Sequence, residues 1–209
     1  MLLETDIIND LPERYRVQLI NSLSGYKSAN LIGSCNAQGL LNLALFSSVF
    51  HVGASPALIG LLSRPDSVPR HTLENIRATG EFTVNSVSTA LYRQAHLCSA
   101  RSDRSQSEFD FAQLTPQFKK GHRAPAVQQS PLSIYLTLRE ITPIEANNTV
   151  LIIGQVQAIE LPQQALSEDG FIDHQLLDTI CVSGLDSYHK TQPIARLGHA
   201  KMPTSATEA

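Results

Sequence analysis

The feature that most restricts how this chain can fold is a long window without charge. From Ser28 to Ser63, thirty-six consecutive residues include no Asp, Glu, Lys or Arg. Because charged side chains normally cover the surface of a soluble protein, such a window must lie largely in a folded interior or cross a membrane. Elsewhere the 209-residue chain is ordinary, with 42% hydrophobic residues, 17% charged residues and a formal net charge of -3.

A membrane-spanning helix does not account for the window. Such a helix needs about 20 nearly continuous apolar residues, and the longest apolar stretch here runs only from Ala57 to Leu62. Pro56 would break a helix in this region. Polar residues interrupt the window throughout, at Asn30, Ser34, Asn36, Gln38, Asn42, Ser47, Ser48, His51 and Ser55. The window is therefore predicted to lie inside a folded protein, with no membrane partner.

Composition excludes several other classes of protein. The near-neutral charge without basic clusters argues against a nucleic-acid binder. The N-terminus has early acidic residues rather than a basic start followed by an apolar run, which argues against a secretory signal. Cys35, Cys98 and Cys181 are far apart and form no CxxC pair, which favours a reducing cytoplasm and argues against a disulfide scaffold or a cysteine zinc site. The histidines show no ligand spacing, so no metal site is predicted.

No linker or repeat divides the chain, so residues 1–209 are predicted to form one domain. Residues 1–28 are a helical lead-in, because Tyr15, Leu19, Ile20 and Leu23 have the spacing of an amphipathic helix. Residues 184–209 are predicted to be a C-terminal tail that packs on the barrel formed by the strands.

Between these ends the pattern is mostly that of β-strands. Segments 31–37 and 41–49 read as a hairpin, 57–62 as a third strand and 82–87 as a fourth. Segments 134–139 and 150–159 are predicted to pair antiparallel. Short helices are predicted over 72–79 and 89–99, and a polar loop follows the second one. Strands with hairpin-length connections favour an antiparallel barrel with helical insertions over a parallel βαβ sheet.

One loop has the composition of a phosphate site. Residues 63–72 read SRPDSVPRHT, which supplies hydroxyls, two guanidinium groups and an imidazole just before a predicted helix. Helix N-termini attract anions, and arginine binds phosphate oxygens in a bidentate way. A plain polar loop with surface arginines and a Thr cap explains the same residues.

The uncharged window supplies a second candidate element. Asn42, Ser47 and Ser48 are hydrogen-bonding residues set among Leu, Phe and Val. A flat heteroaromatic ring with polar edges needs apolar walls and a few directed donors and acceptors. The alternative is that these residues belong to the core of a β-barrel and that their hydroxyls hydrogen-bond to the backbone. Together, the neutral segment and the basic loop fit the two ends of flavin mononucleotide (FMN).

The same residues carry a family resemblance. NLALFSSVFHVGASPALIGLLSRP followed by RHTLENIRATGEFTVNSV resembles the FMN-binding split-barrel proteins of the flavin reductase-like family. SEFDFAQLTP resembles the acidic-aromatic stretch of that family, and SGLDSYHKTQPIARLGHAKMP resembles the tail of one branch of flavin oxidoreductases. The resemblance covers nearly all of the chain after Asn30. Leu45, Ser48-Val49 and Ala57 depart from the family pattern, at positions that would shape the ring pocket.

The resemblance implies a mainly β, antiparallel Greek-key split barrel with helical insertions, and a homodimer with FMN near the subunit interface. It implies that Ser47, Ser48, Val49 and Phe50 lie along the flavin ring. It places Ser63, Arg64, Arg70, His71 and Thr72 at the ribityl chain and phosphate, with Asn75 bracing the loop. Tyr188 and His189 either close over the flavin or belong to chain-terminal packing.

The implied activity is that of a cytoplasmic NAD(P)H-dependent flavin reductase, which transfers hydride from NADH or NADPH to flavin. FMN would be either a tightly bound cofactor or an exchanging substrate. The cofactor performs this chemistry, so no catalytic side chain is predicted. An FMN electron carrier of the flavoredoxin kind and a non-catalytic flavin-binding module are the alternatives. A partner monooxygenase or another acceptor would take the electrons.

Overall fold

The computed structural model describes residues 1–200. The helices are α1 (Thr5–Asp10), α2 (Glu13–Ser22), α3 (His71–Thr79), α4 (Tyr92–Leu97) and α5 (Glu108–Phe111), with a short 3-10 turn at Gln163–Ala165. The strands are β1 (Lys27–Ser28), β2 (Asn30–Cys35), β3 (Leu41–Phe46), β4 (Val49–Ala54), β5 (Ala57–Ser63), β6 (Glu81–Ser86), β7 (Pro116–Gln117), β8 (Ala126–Val127), β9 (Ser133–Ile144), β10 (Thr149–Glu160), β11 (Ile180–Ser183) and β12 (Ser187–Lys190).

Seven strands form the main sheet, in the order β3-β2-β6-β9-β10-β5-β4, and every neighbouring pair is antiparallel. The predicted antiparallel pairing of segments 134–139 and 150–159 is confirmed by β9 and β10. Strands β1, β11 and β12 form a smaller sheet, and β7 pairs with β8.

The two edges of the main sheet are consecutive in the chain. Strand β3 ends at Phe46 and β4 begins at Val49, yet these strands lie at opposite ends of the strand order. In a flat sheet with strands about 4.8 Å apart, the two edges would be roughly 29 Å from each other. The three Cα steps from Phe46 to Val49 span at most about 11 Å. The sheet must therefore curl until its edges meet.

The connection between these edges differs from the sequence-based prediction. Segment 41–49 was expected to be one strand, but the chain bends at Ser47 and Ser48 and a separate strand, β4, follows. The apolar residues continue on both sides of the bend, so composition alone does not mark it.

One apolar core fills the inside of the curled sheet. Its fully buried members include Ile32, Leu61, Phe82, Leu136 and Ile152, which come from five different strands. Because side chains alternate along a strand, the neighbouring residues of β2 point to the other face.

A second core covers that other face. Leu31 and Leu43 pack there with Val87, Leu91 and Phe109, in the segments that contain α4 and α5. All six residues of β2 are buried as a result. This covering explains the charge-free start of the window, since a charged side chain at these positions would be removed from water on either face.

Asn85 is a fully buried polar centre between the strands. Its amide donates to the Leu31 carbonyl at 3.0 Å and to Thr83 Oγ1 at 2.9 Å. Its side-chain oxygen accepts from the Val127 N–H at 3.0 Å and from the Ser133 hydroxyl at 2.8 Å. Because every donor and acceptor position of the side chain is used, burial of this amide is compensated, and β2, β6, β8 and β9 are held in one register.

The N-terminal helices lie on the surface. Helix α2 carries most of the residues that predicted an amphipathic helix in the lead-in of residues 1–28, but neither α1 nor α2 has a buried residue. The predicted apolar face is exposed, with Tyr15 at 56% and Leu23 at 71% exposure. Within residues 1–200, no helix is long and apolar enough to cross a membrane.

Within the predicted C-terminal tail, Ser187–Lys190 pairs as β12 with β11, and exposed residues that follow make contacts with the loop of residues 169–175. Arg196 pairs with Asp169 at 2.6 Å, and its guanidinium carbon lies 4.2 Å from the ring centre of Phe171. Gln175 donates to the Thr191 carbonyl at 2.9 Å. Residues 201–209, the last part of the predicted tail, lie outside the described residues.

Gly33 in β2 provides a test of the packing. A Cβ at this position would lie 2.1 Å from the Pro125 carbonyl oxygen and 2.5 Å from Thr83 Oγ1. Gly33→Ala is therefore expected to lower the free energy of unfolding by about 2 to 3 kcal/mol, measured by urea denaturation. At Gly53 the nearest atom is 3.4 Å away, so Gly53→Ala is the matched control and should cost less than about 0.5 kcal/mol. Equal effects of the two substitutions would contradict this account of the packing.

Candidate functional site

A cavity of about 970 Å³ lies where the two edges of the main sheet meet. Three chain segments supply most of its lining. They are the connection from β3 to β4, the loop from the end of β5 to the start of α3, and the loop that follows α4. Asn21 of α2, Lys27 of β1 and Leu185 lie at its border.

Seven of the ten residues predicted to bind the cofactor line this cavity. They are Ser47, Ser48, Ser63, Arg64, Arg70, His71 and Thr72. The two predicted halves, the neutral segment and the basic loop, are therefore brought to one cavity by the curl of the sheet.

The other three predicted residues, Val49, Phe50 and Tyr188, do not line this cavity. Val49 pairs with Leu61 in β4, and the Phe50 ring packs over Gly60, which leaves no room for a Cβ there. The Tyr188 hydroxyl lies 2.8 Å from His96 Nδ1. These contacts favour sheet and chain-terminal packing for the three side chains.

The wall of the cavity at the β3–β4 connection is neutral and has directed polar groups. The Ser48 hydroxyl donates to the Leu62 carbonyl at 2.9 Å, and the Leu62 N–H donates to the Ser48 carbonyl at 3.3 Å. Ser47 forms no hydrogen bond with another residue in the range 1–200. Its polar groups are therefore available to a ligand, beside the apolar side chains of Leu45 and Phe46.

Buried amides and hydroxyls attach α3 to the sheet beside this wall. The Asn42 amide donates to Thr72 Oγ1 at 3.0 Å and to Ser34 Oγ at 3.4 Å. The Asn75 amide donates to the same Ser34 oxygen at 3.2 Å. All four residues are at most 7% exposed. This network directs the N-terminus of α3 at the cavity, where its free N–H groups favour an anion.

Arginines gather at the same helix end. The Arg70 Nε–H donates to the Pro65 carbonyl at 2.9 Å, and the Arg70 backbone N–H donates to Glu74 Oε1 at 3.0 Å. Burial lowers the pKa of Arg70 from its ordinary value, and the positive charges of Arg64 and Arg101 lower it further. None of these three arginines forms an ion pair with a residue of the described chain. The cavity therefore carries positive charge that a bound anion would neutralise.

The loop after α4 is a part of the site that the sequence did not reveal. Ser99, Ala100, Arg101, Ser102, Asp103 and Arg104 all line the cavity. Their mixture of hydroxyls and guanidinium groups matches that of residues 63–72, and this was the one available signal. Without the fold, nothing distinguishes such a segment from a solvated loop.

Buried Glu108 connects this loop to the sheet. Its carboxylate accepts from the Leu43 N–H at 3.0 Å and from the Ser102 hydroxyl, and the residue is only 5% exposed. Cys98 also lines the cavity, but burial and, secondarily, the Glu108 charge raise the pKa of its thiol to about 12. Cys98 is therefore a protonated thiol at neutral pH and not an activated nucleophile.

Similarities to known proteins bear on this arrangement. Residues 23–178 match the flavin reductase like domain. The solved structure of a candidate flavin reductase with a split-barrel domain from Shewanella frigidimarina is 44% identical, has a TM-score of 0.92 and covers 96% of this chain and 100% of that chain.

More distant solved structures share the fold. Nitrilotriacetate monooxygenase component B from Bacillus cereus is 22% identical with a TM-score of 0.84, and the match covers 94% of this chain and 98% of that chain. Flavoredoxin of Desulfovibrio vulgaris is 21% identical with a TM-score of 0.70, and the match covers 83% and 91% of the two chains.

These matches agree with the antiparallel strand order described above, and the predicted fold class, a mainly β split barrel with helical insertions, is confirmed. Because the family match spans most of the chain and includes both the β3–β4 connection and the arginine-bearing loops, the chain belongs to the flavin reductase-like family.

Proposed function

We propose that this protein binds FMN and acts as an NAD(P)H-dependent flavin reductase, which transfers hydride from a reduced nicotinamide to flavin. The observation that carries the proposal is the single cavity that joins a neutral, polar-edged wall to an arginine cluster at a helix N-terminus. A flavin mononucleotide has the complementary shape and charge, with an uncharged ring at one end and a phosphate at the other.

The residues of the cavity fit such a ligand. Arg64, Arg70, His71 and Thr72 would hold the phosphate together with the free N–H groups of α3. Ser47 and Ser48 would face the polar edge of the ring, with Leu45 and Phe46 as apolar wall. A volume of about 970 Å³ lies within the usual range of about 300 to 1,000 Å³ for ligand sites.

The chemistry requires little of the protein beyond binding and orientation. A bound flavin supplies the two-electron redox chemistry. The neutral wall would hold the ring in one plane, the arginines would fix the phosphate end, and the closed edge of the barrel would limit access of water. We assign no catalytic side chain, and protonated Cys98 fits that assignment.

The solved relatives support this class of function and one rival. The 44% identical relative is a candidate flavin reductase, and component B of a monooxygenase suggests a two-component system with a separate acceptor. Flavoredoxin represents the rival, an electron carrier that another protein reduces. A module that binds flavin without turnover is the third alternative.

We infer that the protein is a homodimer whose interface includes α2. No residue of this helix is fully buried in its own chain, and Tyr15, Val17 and Ile20, with Leu23 just after the helix, are exposed to solvent. Burial of such a face gains about 25 cal/mol per Å² of apolar area. Asn21 of the same helix borders the cavity, so a second subunit here would lie beside the flavin. Free Cys35, Cys98 and Cys181 support the proposed cytoplasmic location.

The absorbance spectrum of the purified protein tests the proposed activity. Protein loaded with FMN is expected to lose its flavin absorbance band when NADH or NADPH is added without oxygen, because hydride transfer reduces the ring. A flavin band that neither nicotinamide bleaches, but that a cell extract plus nicotinamide does bleach, would favour the carrier. Protein that neither binds added FMN in a titration nor reduces it with either nicotinamide would contradict the proposal as a whole.

Substitution of Arg70 tests the phosphate assignment. Loss of one charged hydrogen bond costs about 1.5 to 3 kcal/mol, so Arg70→Ala is expected to weaken FMN binding by roughly ten- to a hundredfold. The measurement is a fluorescence titration of FMN, after circular dichroism shows that the fold is intact. Arg139→Ala, an exposed change on β9 outside the cavity lining, is the control. Unchanged affinity in Arg70→Ala would refute the assignment.

Sedimentation velocity tests the interface. The double variant Ile20→Glu, Leu23→Glu is expected to weaken dimerisation at least tenfold, because two charges would be buried against the partner. Leu176→Glu, at a residue 63% exposed and distant in sequence from α2, is the control and should remain a dimer. A dimer unaffected by the double variant would place the interface elsewhere.

A further inference from the structure

The loop between α4 and α5 is fixed at both ends to the outer edge of β3. At its first end, the Cys98 carbonyl accepts from the Leu45 N–H at 3.3 Å. At its second end, the buried Glu108 carboxylate accepts from the Leu43 N–H at 3.0 Å, and Phe109 follows in the apolar core. Because β3 is an edge strand, these two acceptors take the place of a neighbouring strand.

The middle of the loop, residues 99–107, is held much less firmly, and we call it the strap. None of its residues is buried, and its backbone forms no hydrogen bond with another segment of the described chain. Two side chains attach it. Ser102 donates to Glu108 at the strap's own end, and Arg104 forms an ion pair with Glu74 of α3. Within residues 1–200, this ion pair is the one hydrogen-bonded contact between the strap and α3.

Glu74 joins the strap to the helix end that faces the cavity. Its Oε1 accepts the Arg70 N–H at 3.0 Å, and its Oε2 accepts from Arg104. Glu74 and Arg104 both line the cavity, as do Arg70 and His71 at the start of α3. The ion pair is therefore part of the cavity wall, at the end where the phosphate is proposed to bind.

The other charged side chains of the strap provide no second attachment to α3. Asp103 accepts from the backbone N–H and the hydroxyl of Ser105, at 2.9 Å and 2.7 Å, inside the strap itself. Arg101 forms no ion pair within residues 1–200. Release of Arg104 would therefore free the middle of the loop while both ends stay on β3.

The attachment to α3 is of a kind that breaks easily. The side chains of Arg104 and Glu74 are 43% and 40% exposed, and an exposed ion pair contributes little to stability. A segment with few buried contacts can open locally while the rest of the protein stays folded. The strap is thus a part of the cavity wall that can open by itself.

We propose that the strap opens to let FMN enter and leave the cavity, and that the Arg104–Glu74 ion pair is the latch that keeps it closed. This inference rests on the proposed function, because it takes FMN as the ligand of the cavity. The strength of the latch sets how often the strap opens, and so whether FMN behaves as a retained cofactor or as an exchanging substrate. Glu74 is a positioning residue, which holds the wall and takes no part in the redox reaction.

Stopped-flow measurement of FMN binding and release by Glu74→Gln provides the test. The amide oxygen of Gln can still accept the Arg70 N–H, but the charge that holds Arg104 is lost. Because the latch closes free and loaded protein alike, its loss is expected to raise the association and dissociation rate constants together, by about two- to fivefold. Kd should stay within about twofold. Arg104→Gln should have the same effect, and the double variant should add nothing to either single variant.

Limited proteolysis supplies a second readout, which needs no flavin. The strap contains two trypsin sites, Arg101 and Arg104, and Glu74→Gln keeps both. Trypsin should cut the strap of this variant about two- to fivefold faster than that of the wild type, because cleavage follows the population of the open form. Mass spectrometry identifies the products, and unchanged cleavage at other sites shows that the fold is intact.

Arg77→Gln is the matched control. It breaks the Arg77–Asp66 ion pair, which joins the same helix to the preceding loop at 3.1 Å and has side chains 44% and 46% exposed. Neither residue lines the cavity. This variant should match the wild type in FMN exchange and in cleavage of the strap.

The outcomes separate this inference from the proposed function. Equal exchange rates in Glu74→Gln and the wild type, with FMN bound by both, would overturn the inference alone. Faster dissociation with an unchanged association rate would also overturn it, because the pair would then stabilise bound FMN rather than control its passage. Tighter FMN binding by Glu74→Gln would do the same by assigning Arg104 to the phosphate. Wild-type protein that does not bind added FMN would remove the proposed function, and this inference with it.

Discussion

The short link between β3 and β4 is the constraint on which the rest of the structure depends. Two residues, Ser47 and Ser48, join strands that lie at the opposite edges of a seven-strand sheet. Since those edges would be roughly 29 Å apart in a flat sheet, the link forces the sheet to curl. The link then lies at the closing edge of the barrel beside the cavity, where Ser48 hydrogen-bonds to Leu62 of β5 and Ser47 has no hydrogen-bond partner within residues 1–200. The same short link therefore closes the barrel and forms the neutral wall of the site.

The division of charge within the site follows from burial. Strands β2 and β3 are covered on both faces at their centres, and polar residues there are amides and hydroxyls that bond to one another, as in the Ser34, Asn42, Thr72 and Asn75 network. A charged group in their place would lose its hydration without compensation. Charge resumes at Arg64, where the chain leaves β5 for an exposed loop. The same network aims α3 at the cavity, so the neutral wall and the basic helix end face one space.

Sequence patterns predicted those features that local alternation or composition encodes. The alternating segments that became β9 and β10, and the helix after the basic loop, were found with approximate bounds. Thr72, the expected cap of that helix, lies inside it instead, and Arg70 is the residue before its first turn. The bend at Ser47-Ser48 was missed, because the apolar run continues through it and only pairing at the two sheet edges defines the break. The family resemblance placed Val49 and Phe50 along the flavin ring, and in the structure both residues belong to β4, where they pair and pack against β5.

The amino-acid sequence by itself determined the mainly β class, the neutral window and the basic loop that begins at Arg64, because each depends on residue types within a short stretch of chain. Only the tertiary structure decided that the window and the loop share one cavity, that Arg101 joins them from a loop some thirty residues further along, and that the apolar face of α2 stays uncovered by its own chain. These outcomes depend on which strands meet when the sheet closes. That choice is a property of long-range pairing, which no local pattern of side chains specifies.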